Sequence, residues 1–160
     1  MDVRVGIGYD VHVFAEGRRL VLGGVDMDYP LGLLGHSDAD VLLHAVIDAL
    51  LGAASLGDIG SLFPDSDPSL RDVSSLDLLR RVYDLLSGHG VTILNIDSVV
   101  ICEKPRILPH VDAMKAAISR ALGDLKPERI GIKGKTTEGL GFTGRREGMA
   151  AQAVALVRFN

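Results

Sequence analysis

The chain is 160 residues and 17.0 kDa, 47% apolar and 24% charged, with a formal charge of −4 and a mean hydropathy of +0.25. That is room for one domain, 1–160, with a substantial core; it excludes a disordered chain, and a lone cysteine, Cys102, excludes a disulfide scaffold. The acidic balance argues against nucleic acid, no apolar run nears the roughly 20 residues of a membrane span, and Met-Asp-Val-Arg-Val lacks the features of a signal peptide, so the expected location is cytoplasmic, with no nucleic-acid or membrane partner.

Residues 3–9 alternate with period two and read as a strand. A short hairpin follows, Arg19–Leu22 with Val25–Tyr29, turning at Gly23-Gly24. Ser37 to Ala54 reads as a helix capped by Ser37, with Asp38 and Asp40 at its positive end. Gly57 opens a loop through Pro64 and Pro68. A second helix runs from Ser74 or Ser75 to Ser87, stopped by Gly88 and Gly90. Residues 91–102 form a β run, Pro109–Leu122 a helix, Pro127–Arg129 a helical turn and Ile130–Lys135 a strand. Residues 148–158 suit helix by alanine content and strand by their Val-Ala-Leu-Val ending; strand is the reading taken. The sum is an α/β sandwich of the α+β type: a mixed sheet of about four main strands with helices on one face.

Charge is unevenly spread. Residues 1–80 hold 5 basic and 13 acidic side chains, residues 81–160 hold 12 and 8, so the first half suits cations and the second anions unless the split is mere drift. In the first half, Asp10 and His12 are alternate residues of a strand and reach the same side. Asp40, His44 and Asp48 form a stripe at i, i+4 and i+8 on the next helix, which could simply be a solvated face. Asp10, His12 and His44 together make two imidazoles and a carboxylate, the pattern of a catalytic zinc site with one open position. Gly35-His36-Ser37-Asp38, leading into that helix, is either an anion site or ordinary capping. Asp58-Ile59-Gly60 and Phe63-Pro64-Asp65-Ser66-Asp67-Pro68 are turn-formers whose carboxylates could also read polyol hydroxyls. Lys133 to Arg145 is glycine-rich, with hydroxyls at Thr136, Thr137 and Thr143 and a carboxylate at Glu138, suited to phosphate and a hard cation or to a plain hairpin. His89 and His110 read as local hydrogen-bonding residues, and Cys102 as a packing residue.

Asp10-Val11-His12, Gly35-His36-Ser37-Asp38-Ala39-Asp40 with His44, Leu56-Gly57-Asp58-Ile59-Gly60, Phe63-Pro64-Asp65, Leu108-Pro109-His110, Thr136-Thr137-Glu138 and Gly141-Phe142-Thr143-Gly144-Arg145 occur in that order between about residues 3 and 158. In order and spacing the set resembles the 2-C-methyl-D-erythritol 2,4-cyclodiphosphate synthase family. The resemblance implies a homotrimeric lyase of non-mevalonate isoprenoid biosynthesis with active sites between subunits. Its substrate would be 4-diphosphocytidyl-2-C-methyl-D-erythritol 2-phosphate, cyclised with loss of CMP.

Carried over by position, the resemblance implies Asp10, His12 and His44 as zinc ligands and Glu138 as holder of a second divalent ion, Mg²⁺ or Mn²⁺. His36 and Thr136 would stabilise the transition state, and Ser37 would contact the 2-phosphate. Asp58, Ile59, Gly60, Phe63, Pro64, Asp65, Ser66 and Asp67 would hold the methylerythritol. Backbone of Cys102, Glu103, Lys104, Pro105, Arg106, Ile107 and Leu108 would read cytosine, and Thr136 with Thr137 would meet the diphosphate, with Lys135 as an extra cation beside it. Tyr9, Phe142, Arg145 and Glu147 match positions lining a central cavity where an isoprenoid diphosphate can bind, although Arg145 could instead pair with Glu147. Two stretches depart from the family: Arg71-Asp72-Val73-Ser74-Ser75 stands where Lys-Gly-Ala-Asp-Ser is common, and Lys135 replaces a threonine seen in some members. Two other classes remain open from residue types alone. One is a zinc phosphohydrolase with Asp48 as base; the other is a noncatalytic trimer that binds a nucleotide or an isoprenoid diphosphate.

Overall fold

Glycines set the geometry of the first strand. In the computed structural model, which describes residues 2–160, strand β1 spans Asp2–Ala15 and carries Gly6 and Gly8 on its inner face. A Cβ at either position would collide with backbone of the first long helix, at Ala49 and Ala53 for Gly6 and at Ala45 for Gly8. That helix, α1 (Val41–Ala54), therefore lies unusually close to the strand. It is apolar around most of its circumference, with Leu42, Leu43, Ile47, Leu50 and Leu51 fully buried, as befits a helix enclosed on several sides.

The hairpin is as expected: β2 (Leu20–Leu22) and β3 (Val25–Met27) pair Leu20 with Met27 and Leu22 with Val25 around Gly23 and Gly24, both at positive φ. A two-residue strand, β4 (Gly32–Leu33), pairs with the end of β1. After α1 come a short helix α2 (Ile59–Leu62), a 3₁₀ turn at Pro68–Leu70 and helix α3 (Ser75–Gly88). Then follow β5 (Val91–Ile101), α4 (Val111–Ala121), β6 (Ile130–Lys135), a four-residue helix α5 (Gly141–Gly144) and β7 (Gly148–Phe159). The main sheet has the order β4-β1-β7-β5-β6, antiparallel except for the parallel β5–β6 pair, so four long strands carry it and β4 adds an edge. Helix α1 packs on β1 and β7, α3 on α1 and β5, and α4 on α3 and β6, all on one face. Among the described residues no helix is long and apolar enough to cross a membrane.

Several local expectations are corrected. β1 continues to Ala15 because its second half pairs with Gly148–Gln152 and with β4, partners remote in sequence. Helix α1 begins at Val41 with Asp40, not Ser37, as its cap: Ala39 adopts φ +57°, which no helix can include, and the Asp40 side chain accepts the Leu43 N–H. The loop from Gly57 contains α2, and α4 starts at Val111 after a 3₁₀ turn at Leu108–His110. The glycine-rich segment after β6 is not a hairpin but a loop entering α5.

Among the described residues, the outer face of the sheet carries no helix. There Val3, Val5, Ile7, Tyr9, Val11 and Val13 form an exposed apolar row on β1, with Val5 66% and Ile7 63% exposed, and Val154 and Leu156 extend it onto β7.

Candidate metal and substrate site

Asp10 and His12 follow Gly8 on the inner face of β1, and the close approach of α1 brings His44 over them. Asp10 Oδ2 lies 2.9 Å from His12 Nε2 and 3.0 Å from His44 Nδ1, and the two imidazole nitrogens are 3.1 Å apart. Among the described residues this is the single group of three metal-ligating side chains with converging donors. A tetrahedral ion with bonds of about 2.0–2.1 Å needs donors about 3.3 Å apart, so the triangle fits a divalent metal with little movement. His12 Nδ1 donates to the Leu34 carbonyl at 2.7 Å, which leaves Nε2 as its free ligand atom. Burial works to raise the Asp10 carboxyl, but hydrogen bonds and charge from His12 and His44 in their imidazolium forms outweigh it and hold Asp10 well below the usual carboxylate range; in the neutral rings the facing nitrogens are lone pairs. The carboxylate is therefore ionised and ready to ligate.

The triad opens into a cavity of about 430 Å³ that also takes in His36, Ser37, Ile59, Gly60, Phe63, Pro64 and Asp65. So His36, Ser37 and most of the expected methylerythritol residues do converge on the triad. Asp58, Ser66 and Asp67 belong to the same loop but lie outside the lining. Asp58 caps α2 by accepting the Ser61 N–H at 2.7 Å, and Asp67 caps the Pro68 turn. The His36 ring nitrogen Nε2 reaches the Asp67 carbonyl at 3.3 Å. Gly35–Asp38 is not a helix N-terminus, since α1 starts later, so backbone dipoles do not make that loop an anion site. The proposed stripe also divides: Asp40 is wholly buried and accepts from Gly23, Gly24 and Leu43, while His44 faces the cavity. Asp48 is outside the lining, its Oδ1 accepting the Ile59 N–H at 2.8 Å.

The remaining expected residues gather elsewhere. Lys135 stands in register with Ile101, Ile101 with Ala150, and Ala150 with Val11, so the end of β6 is level with the triad but three strands away, about 14 Å. There the segment from Cys102 to Leu108 and the segment from Lys135 to Arg145 form one unit. Cys102 N donates to Lys135 O at 2.9 Å, and Ile107 packs on Gly134. The Glu103 carboxylate accepts N–H groups of Thr137 (3.1 Å) and Gly139 (3.4 Å). Thr137 Oγ1 donates to Leu140 O at 2.6 Å, so its hydroxyl proton is already engaged. Thr136, Glu138, Lys104, Arg106 and Leu108 are exposed, and Thr136 Oγ1 donates to Glu138 at 3.0 Å. Burial raises the Cys102 thiol to about 11, with Glu103 adding to it, so Cys102 stays a protonated packing residue. Arg145 pairs with Glu147 of its own chain at 2.7 Å, and Phe142 is half-buried beside them in sequence. His89 ends α3, its Nδ1 bonding to Leu85 O at 2.8 Å as its local reading expected, whereas His110 ends a 3₁₀ turn with no capping hydrogen bond from its side chain.

Sequence reasoning missed three supporting groups. The Arg18 guanidinium donates to Leu33 O and Ser37 O, both at 2.7 Å, and so clamps both ends of the loop that carries His36. Asp38 and Ser75 stand behind His44. Nothing local marks Arg18. Asp38 sits in a recognised motif and Ser75 in the 71–75 stretch that departs from the family, and both acquire a role only when the start of α3 meets the 36–38 loop.

Comparisons with known proteins match this geometry. The model of the YgbB family matches residues 3–158. A 2-C-methyl-D-erythritol 2,4-cyclodiphosphate synthase of Syntrophomonas wolfei is 55% identical over 155 residues, covering 97% of this chain and 98% of its own. Among solved structures, a bifunctional IspDF from Campylobacter jejuni superposes with a TM-score of 0.95 at 43% identity; the match covers 99% of this chain and 43% of that longer one. A 2C-methyl-D-erythritol-2,4-cyclodiphosphate synthase in its CDP-bound form superposes with a TM-score of 0.87 at 41% identity, over 97% of this chain and all of the other.

Proposed function

Because this chain belongs to the YgbB family, we infer its activity: it converts 4-diphosphocytidyl-2-C-methyl-D-erythritol 2-phosphate to 2-C-methyl-D-erythritol 2,4-cyclodiphosphate and CMP. An oxygen of the 2-phosphate attacks the β-phosphorus, and the bond from that phosphorus to the α-phosphate oxygen breaks as CMP leaves. The observation that carries the reading is the Asp10–His12–His44 triangle in the wall of a cavity that it shares with His36, Ser37 and Asp65. Zinc held by that triangle, with Mg²⁺ or Mn²⁺ held through Glu138, would supply the positive charge that lets two phosphates approach each other.

The protein's own part is positioning, because phosphoryl transfer asks little covalent chemistry of the enzyme. The α2 loop and the Phe63–Asp67 segment would fold the methylerythritol so that its 2-phosphate faces the β-phosphorus, exploiting the high effective molarity of an intramolecular attack. Ser37 donates to the 2-phosphate, while His36 and Thr136 donate to oxygens that gain charge as the new bond forms. The Cys102–Leu108 backbone reads cytosine. Arg145 and Phe142 line the axis, where an isoprenoid diphosphate would have to displace Glu147 from Arg145.

The working unit is a homotrimer with each site shared by neighbours. Two features support this. The end of β6, from which Thr136 and Glu138 follow, is three strand spacings, about 14 Å, from the triad strand in the same chain, a span that one diphosphate does not bridge. The β1 row of exposed Val and Ile is a continuous apolar strip of the kind that oligomers cover. A hydrolytic reading needs a base at the metal, and Asp48 neither lines the cavity nor has both oxygens free. One domain over 1–160, in the cytoplasm, completes the proposal.

The test is ³¹P NMR of zinc- and magnesium-replete protein with the diphosphocytidyl substrate. CMP with a cyclic diphosphate is the expected product pair. CMP with a linear diphosphate would establish hydrolysis, and unchanged substrate in the presence of bound zinc would leave a binding protein.

A further inference from the structure

We propose that Asp38 and Ser75 are positioning residues for His44, fixing its tautomer so that Nδ1 presents a lone pair to the metal position. The proposal rests on the reading of the triad as a divalent-metal site.

A chain of hydrogen bonds behind His44 fixes where each proton sits. A carboxylate such as that of Asp38 only accepts. Its Oδ2 takes the backbone N–H of Ser75 at 2.9 Å, and its Oδ1 takes the Ser75 hydroxyl in a short bond. A hydroxyl has one proton, so Ser75 Oγ can only accept from any further partner. That partner is His44 Nε2, at 3.0 Å. His44 must therefore carry its proton on Nε2, and Nδ1 is left bare, 3.0 Å from Asp10 Oδ2 and 3.1 Å from His12 Nε2. His12 is fixed in the opposite sense by the Leu34 carbonyl, so each imidazole offers a different nitrogen to the same point.

The same hydrogen bonding assigns the proton of Ser37. Its Oγ accepts the Ala39 N–H at 3.1 Å and stands 3.1 Å from the protonated His44 Nε2, so it has no call to donate to the ring. Its proton is free to point into the cavity that it lines. Ser75 is fully buried and has no access to the cavity, which separates its role from that of a substrate contact. The relay is held in place by backbone pairing: Asp38 N donates to Val73 O at 3.1 Å, and Asp72 N to His36 O at 2.8 Å. The start of α3 is thereby latched to the loop behind the metal position.

The test measures zinc affinity by chelator competition, with no substrate present. Ser75→Ala is expected to weaken zinc binding roughly 10–100-fold, the range usual for loss of such an outer partner, while Ser75→Thr, which keeps the hydroxyl, restores most of it. Thermal melts check that both variants are folded. Independently of any variant, long-range ¹H–¹⁵N NMR of the zinc-free wild type at a pH above the histidine range should show His44 protonated on Nε2. Zinc binding within about threefold of wild type in folded Ser75→Ala would overturn the proposal, as would a wild-type His44 protonated on Nδ1. A wild type that takes up no zinc would overturn the metal-site reading itself, and the relay with it.

Discussion

The two ends of the main sheet prepare for chemistry in different ways. At the β1 end, the groups that orient the triad are already paired: His12 with Leu34, His44 with Ser75 and Ser37, and the 33–37 loop with Arg18. At the β6 end, Glu103 organises the backbone of the loop, but Thr136, Glu138 and Lys135 stand exposed with no partner opposite them other than each other. On the proposed trimeric reading, the first is a finished half of a site and the second an unfinished one. Metal binding can be encoded within one chain because it needs three atoms within about 3 Å. Holding a diphosphate between two cations needs a second surface, and the exposed apolar row on β1 offers the means to recruit one.

Breaking the recruitment should have the largest effect. Ile7→Asp places a charge in the middle of the apolar row, at a side chain that is 63% exposed in its own chain, so the chain should fold and bind zinc as a monomer. Turnover should fall to background; sedimentation velocity with a zinc titration checks the first part and the product assay the second. A monomer with full activity would show that one chain contains the whole site.

Removing a donor from the finished half should cost less. His36→Ala takes away one group aimed at the reacting phosphates, worth roughly 10²–10³ in kcat, while zinc content and assembly stay as they were. Steady-state kinetics on zinc-replete protein reads this directly. Undiminished turnover would remove His36 from the mechanism.

The smallest effect concerns the support beneath that half. Asp40 is buried among the Gly23, Gly24 and Leu43 N–H groups; burial pushes its carboxyl up to about 6, with Asp38 adding repulsion and the three donors pulling the other way. The folded chain thus keeps a proton that the unfolded chain loses near 3.8. This contribution to stability is complete below 3.8 and is lost as pH rises to about 6, on the order of 3 kcal/mol in all. Asp40→Asn should flatten that slope and lower stability generally, because its amide nitrogen would face a backbone N–H. Urea unfolding of zinc-free protein at fixed concentration between pH 4 and 7 checks both, and an unchanged slope would contradict the assignment.

What the sequence made legible were features that repeat or lie close together. Asp10 and His12 were readable as a pair because a strand alternates, and His44 because α1 is otherwise so apolar. The order of motifs carried the family. The start of α1 was not readable: Ser37, Asp38 and Asp40 are all good caps locally, and the choice is made by Gly23 and Gly24, whose amides need an acceptor where Asp40 stands. Gly6 and Gly8 hid the meaning of β1, since glycine suggests a weak strand and here it admits a helix. The valine row beside them was visible as alternation, but which face α1 covers depended on that contact. Ser75, the last residue of the 71–75 departure, became significant only through its bond to His44.

The central claim is that each active site takes its metal triad with His36 from one chain and its Thr136–Glu138 loop from another. His36→Ala and Thr136→Ala proteins, each inactive alone, should be unfolded together and reassembled in equal amounts. Random mixing then places an intact triad half against an intact loop half at about one interface in four, so turnover should recover to about a quarter of wild type. If the mixture stays as inactive as its components although mixed trimers have formed, both halves must come from the same chain, and the account is wrong.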